Sequence, residues 1–326
     1  MAALATAGAL ALTASGCVTV HGETAVVPSA TRAEAARALQ DFTAAYNKAD
    51  KAYDPALSAG RVTGALGAIN QGGLKARQKQ SPGGNPRHRE LALTDTKFLI
   101  PKKAGWPRWF VADADSNRDT EGGSADSRWL IVFVRGGANQ LWEAAHLLTL
   151  SPGEVPKFAV DADGWAKPAP ADGAGLAAAP RELSRAYAAY LQNRGKAGSV
   201  RFAPGADTTL WLASRQRASQ RIGRSMQYLD QQLDTGAFAP VALSTADGGA
   251  FVFFATRHFE KQTAARGVPL LDLNADVTAL MTGTAKSTLT KERVSSQVAL
   301  VPRKGAARPA VELESRVQGL VAASGS

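Results

Sequence analysis

Between residues 96 and 150 the chain falls into four apolar runs, TKFLIP (96–101), RWFVAD (108–113), RWLIVFVR (128–135) and LWEAAHLLTL (141–150), parted by turn residues. Short runs rich in Val, Ile, Phe and Trp read as strands, and Gly136-Gly137-Ala138-Asn139 between the last two is a hairpin signal. FAVD at 158 to 161 offers a short fifth strand. A meander of this kind must have one face covered to bury its apolar side chains.

The residues before it supply the cover. Thr31 and Glu34 form a T-x-x-E capping box, and Leu39, Phe42, Tyr46, Ala49 and Tyr53 recur on one helical face behind it. Asp54-Pro55 ends that helix. A second is expected with Val62, Leu66 and Ile69 inward, loosened by Gly72-Gly73 near Arg77, and SPGGNPRH at 81 to 88 is a connector. Helices followed by an antiparallel meander define an α+β fold.

The same order then begins again. PAPADGAGLAAAP, 168 to 180, has the composition of a linker, and RAYAAYLQ at 185 to 192 mirrors RALQDFTAAY at 37 to 46. A longer helix is expected over 207 to 234, with Ile222, Met226, Leu229 and Leu233 on one face. Strands are expected at 238 to 244, 250 to 257, 291 to 301 and 308 to 317, interrupted at 267 to 286 by a loop with one short helix. Two α+β domains, 31–167 and 181–326, related by internal duplication, fit a length that exceeds one ordinary core. This element order resembles the nuclear transport factor 2-like superfamily, also called SnoaL-like, and more loosely cystatin-like domains. The resemblance implies two tandem cone-shaped domains, each with helices packed on a curved antiparallel sheet. Members of that superfamily include enzymes, dimerising modules and plain binders, so the fold leaves function open.

Hydrophobic residues make up 45% of the chain and charged ones 20%, a globular composition. The formal net charge of +10 implies attraction to anionic surfaces such as lipid headgroups or wall polymers. The basic residues are scattered and carry no nucleic-acid-binding pattern, so nucleic acid is not an expected partner. A single cysteine excludes an intrachain disulfide and a thiolate cluster. The four histidines, at 21, 88, 146 and 258, have no ligand spacing, so neither a metal nor a cofactor is expected.

That cysteine stands directly behind an apolar stretch. AALATAGALALTA, 2 to 14, has the length of a signal-peptide core and is too short to span a bilayer, and Ala14, Ser15 and Gly16 lead to Cys17. The segment resembles the lipobox of bacterial lipoproteins, with Ala14 where leucine is usual and no basic residues ahead of it, as if translation started upstream of Met1. The resemblance implies a cleaved signal peptide over 1–16, a diacylglycerol on Cys17, a tether over 17–30 and an anchor on the outer face of the cell membrane. CVTVHGE and the Ala-rich style of the chain resemble actinobacterial cell-envelope lipoproteins of unknown function. Anionic lipid, wall polymer or another envelope protein are the expected partners.

Sites are weighed against ordinary packing. DADSNRDTEGG from Asp113 starts like a calcium loop but has Arg118 where glycine belongs and Ser124 where a closing Glu belongs. GTAKST, 283 to 288, imitates a phosphate loop without its glycines, so no amide cradle is expected. His146 is the first candidate for a general base, although strand alternation places it and Glu143 on opposite faces, and His258 beside Glu260 reads as a satisfied strand histidine. Trp109, Trp129 and Trp142 are candidates for an aromatic ligand cavity, and Arg217, Arg221 and Arg224, along the long helix, for contact with an anionic surface. The function expected is a non-catalytic binding or interaction module. The alternative is a small-molecule hydrolase or isomerase with a polar residue inside one cone.

Overall fold

The computed structural model describes residues 25–326 apart from Glu121, Ser124 and Ala197. Cys17 and its signal-like segment lie outside the described residues. The elements in chain order are β1 (Val27–Pro28), α1 (Arg32–Ala52), α2 (Gly64–Gln80), β2 (Leu93–Leu99), β3 (Lys102–Lys103), β4 (Arg108–Ser116), β5 (Arg128–Arg135) and β6 (Glu143–Leu150). Next come α3 (Leu183–Gln192), α4 (Trp211–Ser219), β7 (Arg224–Leu233), β8 (Val241–Ser244), β9 (Ala250–Ala264), α5 (Ala275–Leu280), β10 (Met281–Gly283), β11 (Thr288–Val301) and β12 (Glu312–Gly325). The chain is α+β, and the four strand runs of the first half all form, the first shifted to Leu93–Leu99 and the fourth starting at Glu143.

α1 starts on the expected capping box: the Glu34 amide donates to Thr31 Oγ1 at 3.1 Å and the Thr31 amide to the Glu34 carboxylate at 2.7 Å. It ends at Tyr53, which takes a left-handed φ of 49°. The first sheet runs β2-β4-β5-β6, all antiparallel. The second runs β10-β12-β11-β9-β7, and β8 continues the β7 edge along the other end of β9.

Three apolar clusters set the layers. Leu39 and Phe42 of α1 pack with Phe110, Phe133 and Trp142 on one face of the first sheet. Tyr187 and Leu191 of α3 pack with Val252 and Phe254 on one face of the second. The remaining faces meet each other: Val111, Leu130, Val132 and Leu148 pack against Phe251, Phe253 and Val298. The order through the molecule is therefore helix, sheet, sheet, helix. α2 lies beside this stack, with Ala65 and Ile69 against Ala255, Val294 and Val321 of the second sheet.

Several expectations change. The 207–234 helix does not form: after a π-type turn at Ala206–Leu210, α4 ends at Ser219, and Gly223 at φ 73° leads into β7. Ile222 is 96% exposed, while Met226, Tyr228 and Asp230 alternate inward as strand residues. The last strand starts at Glu312, four residues later than expected, because 302 to 311 is loop. α2 is not loosened at Gly72-Gly73 and continues to Gln80. Residues 158 to 161 form no separate strand; Phe158 bridges Thr245 and Val160 bridges Ala166. The Pro-Ala-Gly segment 168–180 runs along the second sheet, with Leu176 and Ala178 buried in its core and the Ala177 amide donating to Pro302 O at 2.9 Å.

Candidate functional site

The helix-covered face of the second sheet is apolar at one end and polar at the other. On β9 the inward series is Ala250, Val252, Phe254, then Thr256, His258, Glu260 and Gln262. On β11 the residues paired to these run, in the same order, Val301, Ala299, Gln297, Ser295, Arg293, Lys291 and Leu289. The apolar half is filled by α3. The polar half is covered by α4, whose Trp211, Ser214, Arg215 and Ala218 fall at the i, i+3, i+4, i+7 spacing of one helical face and border a cavity of about 210 Å³. A wider groove of about 950 Å³ lies between α3, α4 and the β7 edge and shares Arg215, Met226 and Tyr228 with it.

The cavity wall is held by a buried polar network. Both terminal nitrogens of Arg215 donate to the Asp230 carboxylate, each at 2.8 Å. His258 Nδ1 lies 2.6 Å from Asp230 Oδ1, and its Nε2 lies 2.9 Å from the Thr256 hydroxyl, which the Gln297 amide also reaches at 2.6 Å. Burial works to raise the Asp230 carboxyl, but hydrogen bonds from His258 and Arg215 outweigh it and hold it below the usual carboxylate range. Burial pushes the His258 imidazole down, against the pull of Asp230 towards the charged form. Both ring nitrogens of His258 have partners, so it fixes Asp230, which in turn fixes Arg215.

Trp211 is the aromatic wall. The Arg215 and Arg316 guanidinium carbons lie 3.9 and 3.6 Å from its ring centroid, and His258 meets it edge-on at 4.9 Å. Arg316 is fixed from behind by Asp207 at 2.7 Å. Lys291 is buried and shared between Glu260 at 2.5 Å and Asp272 at 3.3 Å. Arg224 donates to the Pro269 carbonyl at 2.8 Å. Arg221 and Arg293 also line the cavity and enter no ion pair found among the described residues.

The residues singled out from sequence fall in several places. His146 is fully buried between the two sheets, with Nδ1 2.8 Å from Ser296 Oγ; desolvation lowers its pKa to about 4. Its relation to Glu143 is corrected by a bulge. Val132 pairs with His146, Phe133 with Ala144 and Val134 with Glu143, so the extra residue Ala145 puts Glu143 and His146 on the same, sheet-facing side. Trp109 packs between the sheets, whereas Trp142 and Trp129 pack on the α1 side, so the three share no common face. The three arginines do not share a helix: Arg217 is exposed on α4, Arg221 lies in the following turn and Arg224 starts β7.

In the calcium-like segment, Asp113 holds Arg128 at 2.7 Å and Asp119 holds the Ser127 hydroxyl. The amides of the GTAKST loop are engaged within the chain. The amides of Lys286, Ser287 and Thr288 all converge on the Ser326 carbonyl oxygen, at 3.1, 2.8 and 2.8 Å. Reasoning from sequence missed Arg215, Asp230, Trp211 and Arg293. The available signal was the switch from apolar to polar on the same face of AFVFFATRHFEKQTA.

The fold and site define an α+β protein of two facing sheets, antiparallel except at the parallel β10–β12 edge pair, with a polar, arginine-lined cavity under the helices of the second. By sequence the chain belongs to the DUF8094 family, a domain of unknown function, whose model matches residues 26–325. It is 54% identical over 321 residues to an uncharacterized lipoprotein of Streptomyces coelicolor, covering 98% of this chain and 94% of that one. It is 51% identical over 325 residues to an uncharacterized lipoprotein of Streptomyces avermitilis, covering 99% and 95%. A second uncharacterized lipoprotein of Streptomyces coelicolor is 28% identical over 215 residues, 65% of this chain and 59% of its own.

Proposed function

We propose that this chain is a lipid-anchored binding protein on the outer face of the cell membrane, which takes a small ligand in the cavity beside Trp211 without transforming it. The anchor is supported by Cys17 behind its apolar run and by the lipoprotein names of the relatives. Because Val27 is already paired with Lys103, the tether spans ten residue steps from Cys17 and reaches at most roughly 35 Å. The fold reading that accompanies it is a tandem pair of nuclear transport factor 2-like cones, supported by the two helix-backed, mainly antiparallel sheets.

The observation that carries the binding role is the contrast between the two helix-covered faces. The first is packed by Phe42, Phe110, Phe133 and Trp142, whereas the second keeps a cavity lined by fixed polar groups. A catalytic reading is favoured by one feature, the Asp230–His258 pair at 2.6 Å. Against it, His258 Nε2 is engaged by Thr256 and no nitrogen is left for a substrate.

Two measurements test the proposal. Labelling cells with a clickable fatty acid should mark the wild type and not Cys17→Ala; equal labelling of both removes the anchor. A thermal-shift screen should find compounds that stabilise the wild type but not Ala218→Trp, whose indole fills the cavity. If every stabilising compound acts equally on both proteins, the cavity is not the site.

A further inference from the structure

We infer that the ligand of this cavity carries a phosphoryl group, held by Arg221, Arg224 and Arg293; the inference rests on the binding role proposed above. Charge is the first ground. Apart from the Arg316–Asp207 pair, whose charges cancel, five cations line or adjoin the cavity, Arg215, Arg221, Arg224, Arg293 and Lys291, against three carboxylates, Asp230, Glu260 and Asp272. The carboxylates are already committed. Asp230 is saturated by Arg215 and His258, and Glu260 and Asp272 share Lys291.

The excess of two positive charges therefore rests on three arginines that meet no acid among the described residues, one of them the half-buried Arg293, cross-strand partner of His258. A half-buried guanidinium without an anion is unfavourable unless a ligand supplies one. A phosphate monoester is close to dianionic at neutral pH and presents three terminal oxygens, which matches both the charge and the number of guanidiniums without an acid partner among the described residues. The rest of the wall, with Met226, Leu271, Tyr228 and Trp211, suits a small organic body attached to that group.

The preorganised parts support the same reading. Arg215 cannot swing towards the ligand, because Asp230 holds it through two bonds and Trp211 stacks on it at 3.9 Å. It forms the floor, and Arg221, Arg224 and Arg293 supply the ligand contacts.

The test is isothermal titration calorimetry in phosphate-free, low-salt buffer, on the full chain carrying Cys17→Ser to prevent acylation. Phenyl phosphate, succinate and the uncharged compounds that pass the thermal-shift screen are the probes. Saturable binding of phenyl phosphate is expected, weakened at least tenfold by Arg293→Gln, lost in Ala218→Trp and unchanged by Arg217→Gln, which lies outside the cavity. If succinate or an uncharged probe binds in an Ala218-sensitive way and phenyl phosphate does not, the phosphoryl assignment falls and the cavity role stands. If phenyl phosphate binds Arg293→Gln and Ala218→Trp as tightly as wild type, it binds elsewhere and the assignment falls. If no probe shows binding sensitive to Ala218→Trp, both readings fall. Vesicles containing phosphatidic acid identify the source. Co-sedimentation lost in Arg293→Gln assigns the group to a lipid headgroup, and phenyl phosphate binding without co-sedimentation assigns it to a soluble compound.

Discussion

At the scale of single residues, two buried polar groups have opposite consequences. His146 sits in the apolar layer between the sheets with one nitrogen on Ser296 and the other, Nε2, unpartnered. Its pKa is about 4 in the fold against 6.5 unfolded, so between those values the unfolded chain binds the extra proton. Stability from this group is complete above pH 6.5 and falls as the pH drops towards 4, by about 3 kcal/mol in total. The pH profile of the melting temperature should be visibly flatter in His146→Gln over that window; superimposable profiles would remove the assignment. Asp230 behaves differently, because it is the anion of a buried pair. Asp230→Ala strands the Arg215 charge and should cost about 3–5 kcal/mol by urea unfolding. Breaking the more exposed Asp41–Arg61 pair, 3.1 Å, with Arg61→Ala should cost at most about 1 kcal/mol. Sequence alone could not rank these: Asp230 lies within a run that reads equally well as helix, and its partner Arg215 is fifteen residues away across a turn.

At the scale of elements, neighbouring glycines in α2 separate local propensity from packing. A Cβ on Gly72 would stand 2.6 Å from the Leu320 carbonyl oxygen and 3.1 Å from Val321 Cα, both backbone of β12. One on Gly73 would meet only the end of the Arg77 side chain, at 3.2 Å. Gly72→Ala should therefore destabilise by about 1–3 kcal/mol, and Gly73→Ala should stabilise by up to about 1 kcal/mol through helix propensity. Equal shifts in the two variants' urea midpoints would contradict the close approach of α2 to β12. Elements whose signals were local were legible in sequence: the Thr31–Glu34 box, the β5 run and the short helix in the insertion all form where the pattern puts them. The 207–234 run misleads because Ile222, Met226, Leu229 and Leu233 are spaced like a helical face. The deciding residue is Gly223, with the period-two set Met226, Tyr228 and Asp230 behind it. The bulge at Ala145 has no sequence signature, since it is set by pairing with β5.

At the scale of the whole molecule, the two halves are not independent in their packing. Phe251, Phe253 and Val298 of the second sheet are buried by Val111, Leu130 and Val132 of the first. Ala255 and Val294 are buried by α2, which belongs to the first half of the chain. Separating the halves at the 168–180 segment would expose all of these, and a contiguous apolar face of that kind drives association. Unfolding of the intact chain should therefore be a single calorimetric transition. Phe253→Ala, which empties a fully buried ring position between the sheets, should lower that transition as a whole, by about 3–5 kcal/mol. Residues 181–326 expressed alone should aggregate or unfold without cooperativity, and co-expression with residues 25–180 should restore a soluble, cooperatively melting complex. A soluble 181–326 fragment with its own sharp transition would mean that the layer between the sheets is a docking surface rather than a shared core.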